Sequence, residues 1–346
     1  MNKKTIFAAI ATGLLIVSSC AKPPKATNNA NAKLYFDSWI SIHLPQAEKV
    51  GKGIYILPEM EIEGTGAETV SDSCYVMVNY TKRTLDGSIV ESSTEEKAKQ
   101  LGIYNKANYY GPKIIYTLPG STQAGIYEAL YGMKRGASRV AIIPGWLASF
   151  DKFDTEEEYL NKHKDGEHTI QEFEVVDFTK DIDAKRLTEL EAYCKEELNL
   201  TLKDTLKKGF FYKELFTPTN PADTAKFNKD TTVYINYTGR LLNGQVFDTT
   251  IEDTAKVWHI YTPNRAYKPV RINWAEFSNE LTMGENSSLI TGFTDLLWRM
   301  GRPYTKATGV FYYKLGYMEK GSGATIPPFA SLRFDIEFTA DPDAKK

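Results

Sequence analysis

The stretch 233–250 has the clearest alternation of hydrophobic and polar positions in this chain. Val233, Ile235 and Tyr237 alternate with polar neighbours, which is the period-two pattern of a strand with one buried face. The segment 242–244 ends in a glycine and can therefore adopt the positive φ angle of a tight turn. Phe247 and Asp248 follow as the start of a returning strand. The pattern predicts a β-hairpin.

A weaker copy of this hairpin pattern occurs upstream, in the stretch 76–93. Tyr80 and Tyr237 are separated by 157 residues, and Gly87 and Gly244 have the same separation. A constant offset between matching residues is typical of an internal duplication. The sequence therefore predicts two domains of the same kind.

Helical spacing of apolar residues predicts an amphipathic inter-domain helix in the segment 181–200, between the two copies. Asp183 is the expected N-cap residue. Such a helix either mediates dimerisation or packs against its own domain, and the sequence leaves both possibilities and the oligomeric state open. Weaker patterns predict a short helix in 34–44 and a solvated helix in the acidic segment 151–166. The apolar stripe of the inter-domain helix consists of Leu187, Leu190, Cys194 and Leu198.

The N-terminus has the anatomy of a bacterial lipoprotein leader. Two lysines precede an apolar run, and small residues precede Cys20. This arrangement is similar to a lipobox, so Cys20 is the expected site of lipidation; the alternative is a signal peptide with an incidental cysteine. The segment 21–32 reads as a flexible tether. We expect attachment to the outer membrane facing the periplasm, with display on the cell surface as the second possibility.

Composition excludes several classes of function. A net charge of −2 over 346 residues gives no general reason to expect nucleic acid as a partner. His163 and His168 lack a carboxylate pair at ligand spacing, so we expect no metal site, and no motif predicts a cofactor. Cys74 and Cys194 could form a disulfide or remain two buried thiols.

Four separated segments of the second copy resemble the FKBP-type peptidyl-prolyl isomerases. The hairpin at 233–250 is followed by 288–293, which contains an apolar pair, a glycine and an aromatic residue, and then by an apolar helix at 295–300. The segments 315–317 and 325–328 then precede a closing strand. The resemblance covers 209–340 and implies catalysis of X-Pro isomerisation without cofactor or metal, on proline-containing polypeptides.

The resemblance also implies roles for individual residues. Tyr237, Phe247, Asp248 and Tyr317 would be catalytic, with Asp248 and the Tyr317 hydroxyl as polar handles of an apolar proline pocket. The Ile326 N–H would hold a substrate carbonyl. An insertion at 251–279 is rich in aromatic residues, and its part from 258 to 277 could either complete the pocket or plug it. The remaining substrate-binding positions are Leu289, Ile290, Phe293, Ile326 and Phe334.

The first copy lacks the corresponding chemistry. Val90 and Glu91 replace the Phe-Asp pair, Ile126 stands where the floor aromatic is expected, and 144–149 contains no tyrosine. We therefore expect a folded first domain without isomerase activity.

These patterns together predict an α+β chain with two FKBP-like domains, each a twisted antiparallel sheet wrapped on a short helix. The expected function is a peptidyl-prolyl isomerase that assists the folding of envelope proteins. The alternative is a non-catalytic polypeptide-binding module, acting as a holdase or as a subunit of an envelope complex. The expected divisions are a signal peptide at 1–20, the tether at 21–32, the first domain at 33–180, a linker helix at 181–208, the second domain at 209–340 and a tail at 341–346.

Overall fold

The computed structural model describes residues 29–164, 166–220, 223–285 and 287–344. The predicted leader, Cys20 and residues 21–28 of the predicted tether lie outside these ranges. The chain divides into two compact domains: the first comprises the residues up to Tyr104 together with Tyr110–Asp181, and the second comprises Asn105–Tyr109 and the chain from Ile182 onward. No helix within the described ranges is sufficiently long and apolar to cross a bilayer.

The first domain is a seven-stranded antiparallel sheet with a short helix packed against it. The strand order is β1-β2-β6-β7-β3-β4, and β5 pairs with β3. Its strands are β1 (Glu48–Val50), β2 (Ile54–Ile56), β3 (Tyr75–Thr84), β4 (Ile89–Ser92), β5 (Lys113–Tyr116), β6 (Ser138–Ile143) and β7 (Thr169–Thr179). Its helices are α1 (Asn29–His43), α2 (Glu95–Gln100), α3 (Ala124–Leu130) and α4 (Glu156–Lys162).

Helix α3 crosses β6 so closely that the contact requires a glycine. A Cβ on Gly125 would lie 2.3 Å from Cγ2 of Ile143, which is closer than real Cβ atoms approach. Helix α1 adds Phe36 to the same core, and its ring meets Trp146 edge to face at 5.5 Å. The N-terminal helix α1 is therefore part of the hydrophobic core of the first domain.

The second domain repeats this plan with nine strands. The order is β14-β13-β12-β10-β16-β15-β9-β8, and β11 pairs with β10. Its strands are β8 (Thr205–Lys207), β9 (Phe210–Phe216), β10 (Thr232–Leu241), β11 (Val246–Thr249), β12 (Val270–Asn273), β13 (Thr282–Met283), β14 (Ser287–Ser288), β15 (Lys306–Phe311) and β16 (Leu332–Thr339). Its helices are α5 (Ile182–Leu198), α6 (Glu252–Val257) and α7 (Thr291–Met300).

Helix α7 is the short helix around which the second sheet is built. Leu296 and Leu297 are fully buried, and each contributes about 1.5–3 kcal/mol by leaving water. A Cβ on Gly292 would lie 2.5 Å from the Phe311 ring, so this glycine allows the helix to approach the sheet. Gly301 ends the helix in the left-handed conformation at φ 52°. The predicted fold class, α+β with two domains of antiparallel sheet on a short helix, is confirmed.

The helix predicted between the copies is confirmed as α5, which packs against the second domain. It ends at Leu198, and 205–207 of the predicted linker helix form strand β8 instead. Leu190 and Cys194 form a buried cluster with Phe211 and Val310 of the sheet. Asp183 is not the N-cap, because the helix begins at Ile182; its carboxylate instead accepts hydrogen bonds from Tyr313 and Lys314.

Other helix predictions are correct in type and differ in their bounds. The helix predicted in 34–44 is α1, which begins at Asn29, so the tether prediction is wrong for 29–32. Ala32 is buried there, which anchors that part of the segment in the core. The acidic segment contains α4, which Thr155 caps through a capping box. Both Cys74 and Cys194 are buried free thiols, as in the second of the two alternatives.

Candidate functional site

Strands β10, β11 and β16 bring two aromatic rings together over one glycine. Tyr237 and Gly239 lie on β10, and Phe334 lies opposite Gly239 on β16. A Cβ on Gly239 would lie 2.7 Å from the Phe247 ring and 2.8 Å from the Phe334 ring. The Phe247 and Phe334 rings therefore occupy the space that a side chain at position 239 would need.

Tyr237, Phe247, Phe293 and Phe334 form a group that we call the ring cluster. Phe334 is at its centre, with ring centroids 4.9 Å from Phe293, 5.6 Å from Phe247 and 6.3 Å from Tyr237. Most of the contacts are edge to face, including that of Tyr237 with Phe293 at 5.5 Å. Phe293 and Phe334 are only 2% and 4% exposed, whereas Phe247 is half-buried. The cluster thus has a closed floor and one accessible ring.

The other predicted apolar positions belong to the same apolar core. Leu289, Ile290 and Tyr317 are half-buried against it, and Ile326 is buried within it. The segment containing Leu289 and Ile290 leads directly into α7, and Tyr317 follows the short turn Tyr313–Leu315. The structure therefore brings all of the predicted pocket residues of the second copy into one region.

A polar network lies at the edge of the ring cluster. The Tyr237 hydroxyl donates a hydrogen bond of 2.5 Å to Oδ2 of Asp248. Arg265 donates from Nη1 to Oδ1 of the same carboxylate at 2.6 Å, and its Nη2 lies 3.5 Å from the Tyr237 oxygen. The carboxylate and the guanidinium are each about one-third exposed, so the pair contributes little to stability and mainly fixes geometry.

These contacts shift the ionisation of the tyrosines. Burial, and then the charge of Asp248, raise the pKa of Tyr237 far above its ordinary value. Burial also raises the pKa of Tyr317, and the Asp248 charge adds to this. Burial opposes the charge of Arg265, but its bond to Asp248 raises the arginine pKa overall. Both tyrosine hydroxyls therefore remain protonated donors at neutral pH.

Sequence reasoning missed Arg265, which the insertion supplies. Tyr261 and Tyr267 stack at 5.2 Å, and the Thr262 N–H donates to the Tyr267 hydroxyl at 2.9 Å. Arg265 lies over the Tyr267 ring at 5.4 Å. The available signal was an arginine between two tyrosines, in a segment that follows Asp248 closely in sequence.

The rest of the insertion does not build the pocket. Phe277 is 58% exposed and lies outside the apolar core of this domain. Trp274 is buried in the same apolar core, but its ring stacks on Trp298 at 5.4 Å and has no ring contact with the ring cluster. Residues 270–273 form β12, which extends the sheet beside β10. Within the described residues, the segment from 258 to 277 contributes Arg265 to the site and neither of its two tryptophans to the ring cluster.

The role expected for the Ile326 N–H is not available in this geometry. That N–H donates to the Ser322 carbonyl at 3.1 Å, inside the 322–326 turn. The Ile290 N–H, by contrast, forms no hydrogen bond with any other described residue. Ile290 lies at the N-terminus of α7, and its carbonyl accepts from Phe293 and Thr294. The backbone donor beside the ring cluster is therefore at Ile290.

The first domain keeps the polar pair and lacks the ring cluster. The Tyr80 hydroxyl donates to Glu91, as Tyr237 does to Asp248. In the register of the first sheet, Lys82 lies opposite Glu91 on β4 and Gln171 on β7. In the second sheet, Gly239 lies opposite Asp248 on β11 and Phe334 on β16. A lysine and a glutamine thus replace the glycine and the central ring. Val90, at the position of Phe247, is 51% exposed.

Comparisons with known proteins give the following results. No family model matches the chain. A probable FKBP-type peptidyl-prolyl cis-trans isomerase of Haemophilus influenzae is 32% identical over 133 residues, which is 38% of this chain and 43% of that protein. The macrophage infectivity potentiator of Trypanosoma cruzi is 30% identical over 112 residues, covering 32% of this chain and 44% of that protein. The FKBP-type 22 kDa peptidyl-prolyl cis-trans isomerase of Escherichia coli is 26% identical over 158 residues, covering 45% of this chain and 64% of that protein.

The chain therefore spans less than two thirds of the length of each of these relatives.

Among solved structures, FkpA of Escherichia coli aligns with a TM-score of 0.30 and 16% identity, over 52% of this chain and 83% of that chain. The three FKBP domains of wheat FKBP73 align with a TM-score of 0.28 and 15% identity, over 83% of this chain and 94% of that chain.

Proposed function

Because this chain is a relative of the FKBP-type peptidyl-prolyl isomerases, we propose that its second domain catalyses cis–trans isomerisation of X-Pro bonds in polypeptides. The observation that carries the proposal is the ring cluster around Phe334, with the Asp248 network at its edge. The first domain is proposed to bind polypeptide without catalysis.

The reaction breaks no bond and needs no nucleophile. Rotation about the X-Pro amide faces a barrier of about 18–20 kcal/mol, which arises from amide resonance. Water stabilises the planar, charge-separated amide more than the twisted one, so transfer of the proline into an apolar site lowers the barrier. The ring cluster supplies such a site, because Phe293 and Phe334 form a floor closed to water.

Polar groups at the edge then orient the substrate backbone. The Ile290 N–H, which has no partner among the described residues, can donate to the carbonyl on one side of the prolyl bond. Arg265 and Tyr237 hold the Asp248 carboxylate in one orientation from two sides. A fixed carboxylate disfavours the carbonyl dipole in the orientation that it adopts in the planar amide, and this favours the twisted transition state.

The loss of the ring cluster supports a non-catalytic role for the first domain. Lys82 and Gln171 occupy the positions of Gly239 and Phe334, so an apolar proline site is absent from the described hairpin region. The same domain has a cavity of about 610 Å³, whose lining includes Met60, Tyr80 and Lys97. A cavity of this size can hold several residues of a polypeptide.

The proposed setting is the bacterial cell envelope. The leader and the lipobox-like cysteine favour attachment of Cys20 to a membrane, with the domains in the periplasm as the first choice. X-Pro isomerisation takes tens to hundreds of seconds without a catalyst, and its catalysis requires no nucleotide. Proteins that fold in the envelope are therefore the proposed clients.

An isomerisation assay with a short proline-containing peptide tests this function. The full chain, without its leader, is expected to accelerate the exchange of the peptide between cis and trans isomers, measured by NMR. Acceleration that is absent at every enzyme concentration, together with suppressed aggregation of an unfolded protein, would leave only polypeptide binding. The same preparation serves both measurements, so misfolding cannot explain a split result.

A further inference from the structure

A pentapeptide that lies between α2 and β5 in sequence belongs structurally to the second domain. We call these residues, Asn105–Tyr109, the strap. The strap turns on itself, because the Asn108 N–H donates to the Asn105 carbonyl at 2.9 Å. The Ala107 N–H donates to the Asn105 side chain at the same distance.

The second domain recognises the strap mainly through its backbone. The Gln245 side-chain amide donates to the Ala107 carbonyl at 2.8 Å, and the Tyr109 N–H donates to the Ala324 carbonyl at 2.8 Å. Ala107 and Gln245 are 8% and 9% exposed, so this hydrogen bond is shielded from water. Hydrogen bonds to backbone groups do not depend on side-chain identity, so such a surface can accept polypeptides of many sequences.

Two side chains add anchoring contacts at the ends of the strap. Tyr109 packs against the apolar core of the second domain. Lys106 donates to the Val257 carbonyl at 2.7 Å and lies 5.4 Å from the centre of the Trp258 ring. An aromatic anchor and a basic residue over an indole ring are features that many unfolded chains can provide.

The surface under the strap adjoins the candidate site. Gln245 precedes Phe247 by two residues, and Ala324 precedes Ile326 by two. Val257 and Trp258 end helix α6, which follows the strand that contains Asp248. A polypeptide bound on this surface would therefore reach the ring cluster with the residues next to it.

We propose that the surface formed by Gln245, Trp258 and Ala324 is a docking surface for polypeptide in a turn conformation, and that the strap fills it as an internal competitor of client chains. The proposal rests on the proposed function, since it assigns the surface to the polypeptide substrates of the same site. It predicts that clients longer than a few residues must displace the strap, whereas a short peptide does not reach it.

The strap lowers the affinity for clients because it is part of the same molecule. A bound intramolecular segment reduces the apparent affinity in proportion to the fraction of molecules whose surface is free. With effective concentrations in the millimolar range, even a weak internal ligand occupies its site most of the time. Replacement of 105–109 by a glycine-serine segment of equal length is therefore expected to tighten client binding at least about tenfold.

The test uses a fluorescent synthetic peptide with the sequence of residues 103–111 and measures anisotropy. The strap-replaced full chain is expected to bind this peptide at least about tenfold more tightly than the wild-type chain does. A permanently unfolded, carboxymethylated protein should compete with the peptide. The control peptide has alanine at the positions of Lys106 and Tyr109 and should bind weakly. Equal binding of the probe to both proteins would overturn the proposal.

Displacement of the strap can also be measured on the wild-type chain, without any replacement of 105–109. Hydrogen–deuterium exchange of the wild-type strap amides is expected to rise several-fold when the unfolded protein is added. Unchanged exchange at saturating unfolded protein would contradict strap displacement. Failure of the proposed function is seen separately, as absent isomerisation of a short peptide, and it would not change either of these binding results.

Discussion

Gly239 lies directly opposite Phe334 in the ladder of β10 and β16, and the Phe334 and Phe247 rings leave no room for a Cβ there. The ring cluster therefore depends on the absence of a side chain. In the first domain, Lys82 takes the place of this glycine and Gln171 the place of the ring. The difference between the two hairpins thus begins at one backbone position.

Gly239→Ala is expected to destabilise the second domain by about 1–3 kcal/mol, because the new methyl group forces Phe247 and Phe334 from their positions. Isomerisation of a short peptide should fall with it, since the displaced rings form the proposed site. Urea unfolding and the NMR exchange assay measure the two effects. Lys82→Ala is the matched control in the first domain and should leave the isomerisation rate unchanged. An unchanged rate in Gly239→Ala would separate activity from the ring cluster.

Phe247→Ala is expected to lower kcat/KM for a proline-containing peptide at least about tenfold, because it removes the accessible ring of the cluster. Tyr317→Ala should lower it as well, because this half-buried tyrosine packs against the same apolar core as the ring cluster. Tyr80→Ala changes the matching tyrosine of the first domain and should have no effect. If only Tyr80→Ala lowered kcat/KM, the activity would belong to the first domain.

Tyr237→Phe is expected to reduce the free energy of unfolding by about 1–2 kcal/mol at neutral pH, because the hydrogen bond to Asp248 is lost. Tyr237 has a raised pKa in the folded state, from burial first and from Asp248 second, against an ordinary value of 10.0. Its contribution is therefore complete below pH 10 and is lost as the pH rises from 10 toward the folded-state pKa.

The difference in stability between wild type and Tyr237→Phe should accordingly shrink above pH 10. Urea unfolding of both proteins over a series of alkaline pH values measures this difference. Tyr304→Phe, at an exposed tyrosine of the same domain, is the control for removal of a hydroxyl. A difference that stays constant with pH would exclude the Tyr237 hydroxyl as its source.

Arg265→Leu is expected to lower kcat more than it raises KM, since Arg265 acts by holding the Asp248 carboxylate. We expect a loss of about three- to tenfold in kcat/KM, in keeping with one partly exposed ion pair. Arg265→Lys should restore part of the rate, because it keeps the charge and loses the second donor. Arg271→Leu, on an exposed position of β12, is the control. If Arg265→Lys is no better than Arg265→Leu, charge is not the relevant property.

The parts of the fold that depend on local pattern could be predicted from the sequence. The β10–β11 hairpin and helix α5 follow from periodicity and turn residues within short segments, whereas the expectation of helix α7 rests on the family resemblance. The resemblance supplies the four residues of the ring cluster, and the alternation of β10 and β16 is consistent with it for Tyr237 and Phe334 alone.

Contacts between distant segments could not be predicted in the same way. Arg265 reaches Asp248 only because two tyrosines shape the intervening loop, and the loop has no periodic pattern. The strap reaches Gln245 across a separation of 138 residues between the bonded groups. The engagement of the Ile326 N–H depends on the turn at 322–326, whose internal hydrogen bonds the composition does not reveal.

Helix α5 sets the limits within which the second domain can be cut from the chain. Its residues Leu190 and Cys194 cover Phe211 and Val310, which are 2% and 0% exposed. A fragment that starts at 209, the boundary suggested by the sequence resemblance, would expose this apolar surface to water and would tend to aggregate. The transferable module, for truncation or for exchange between proteins, is therefore helix and sheet together, with its first residue at 182.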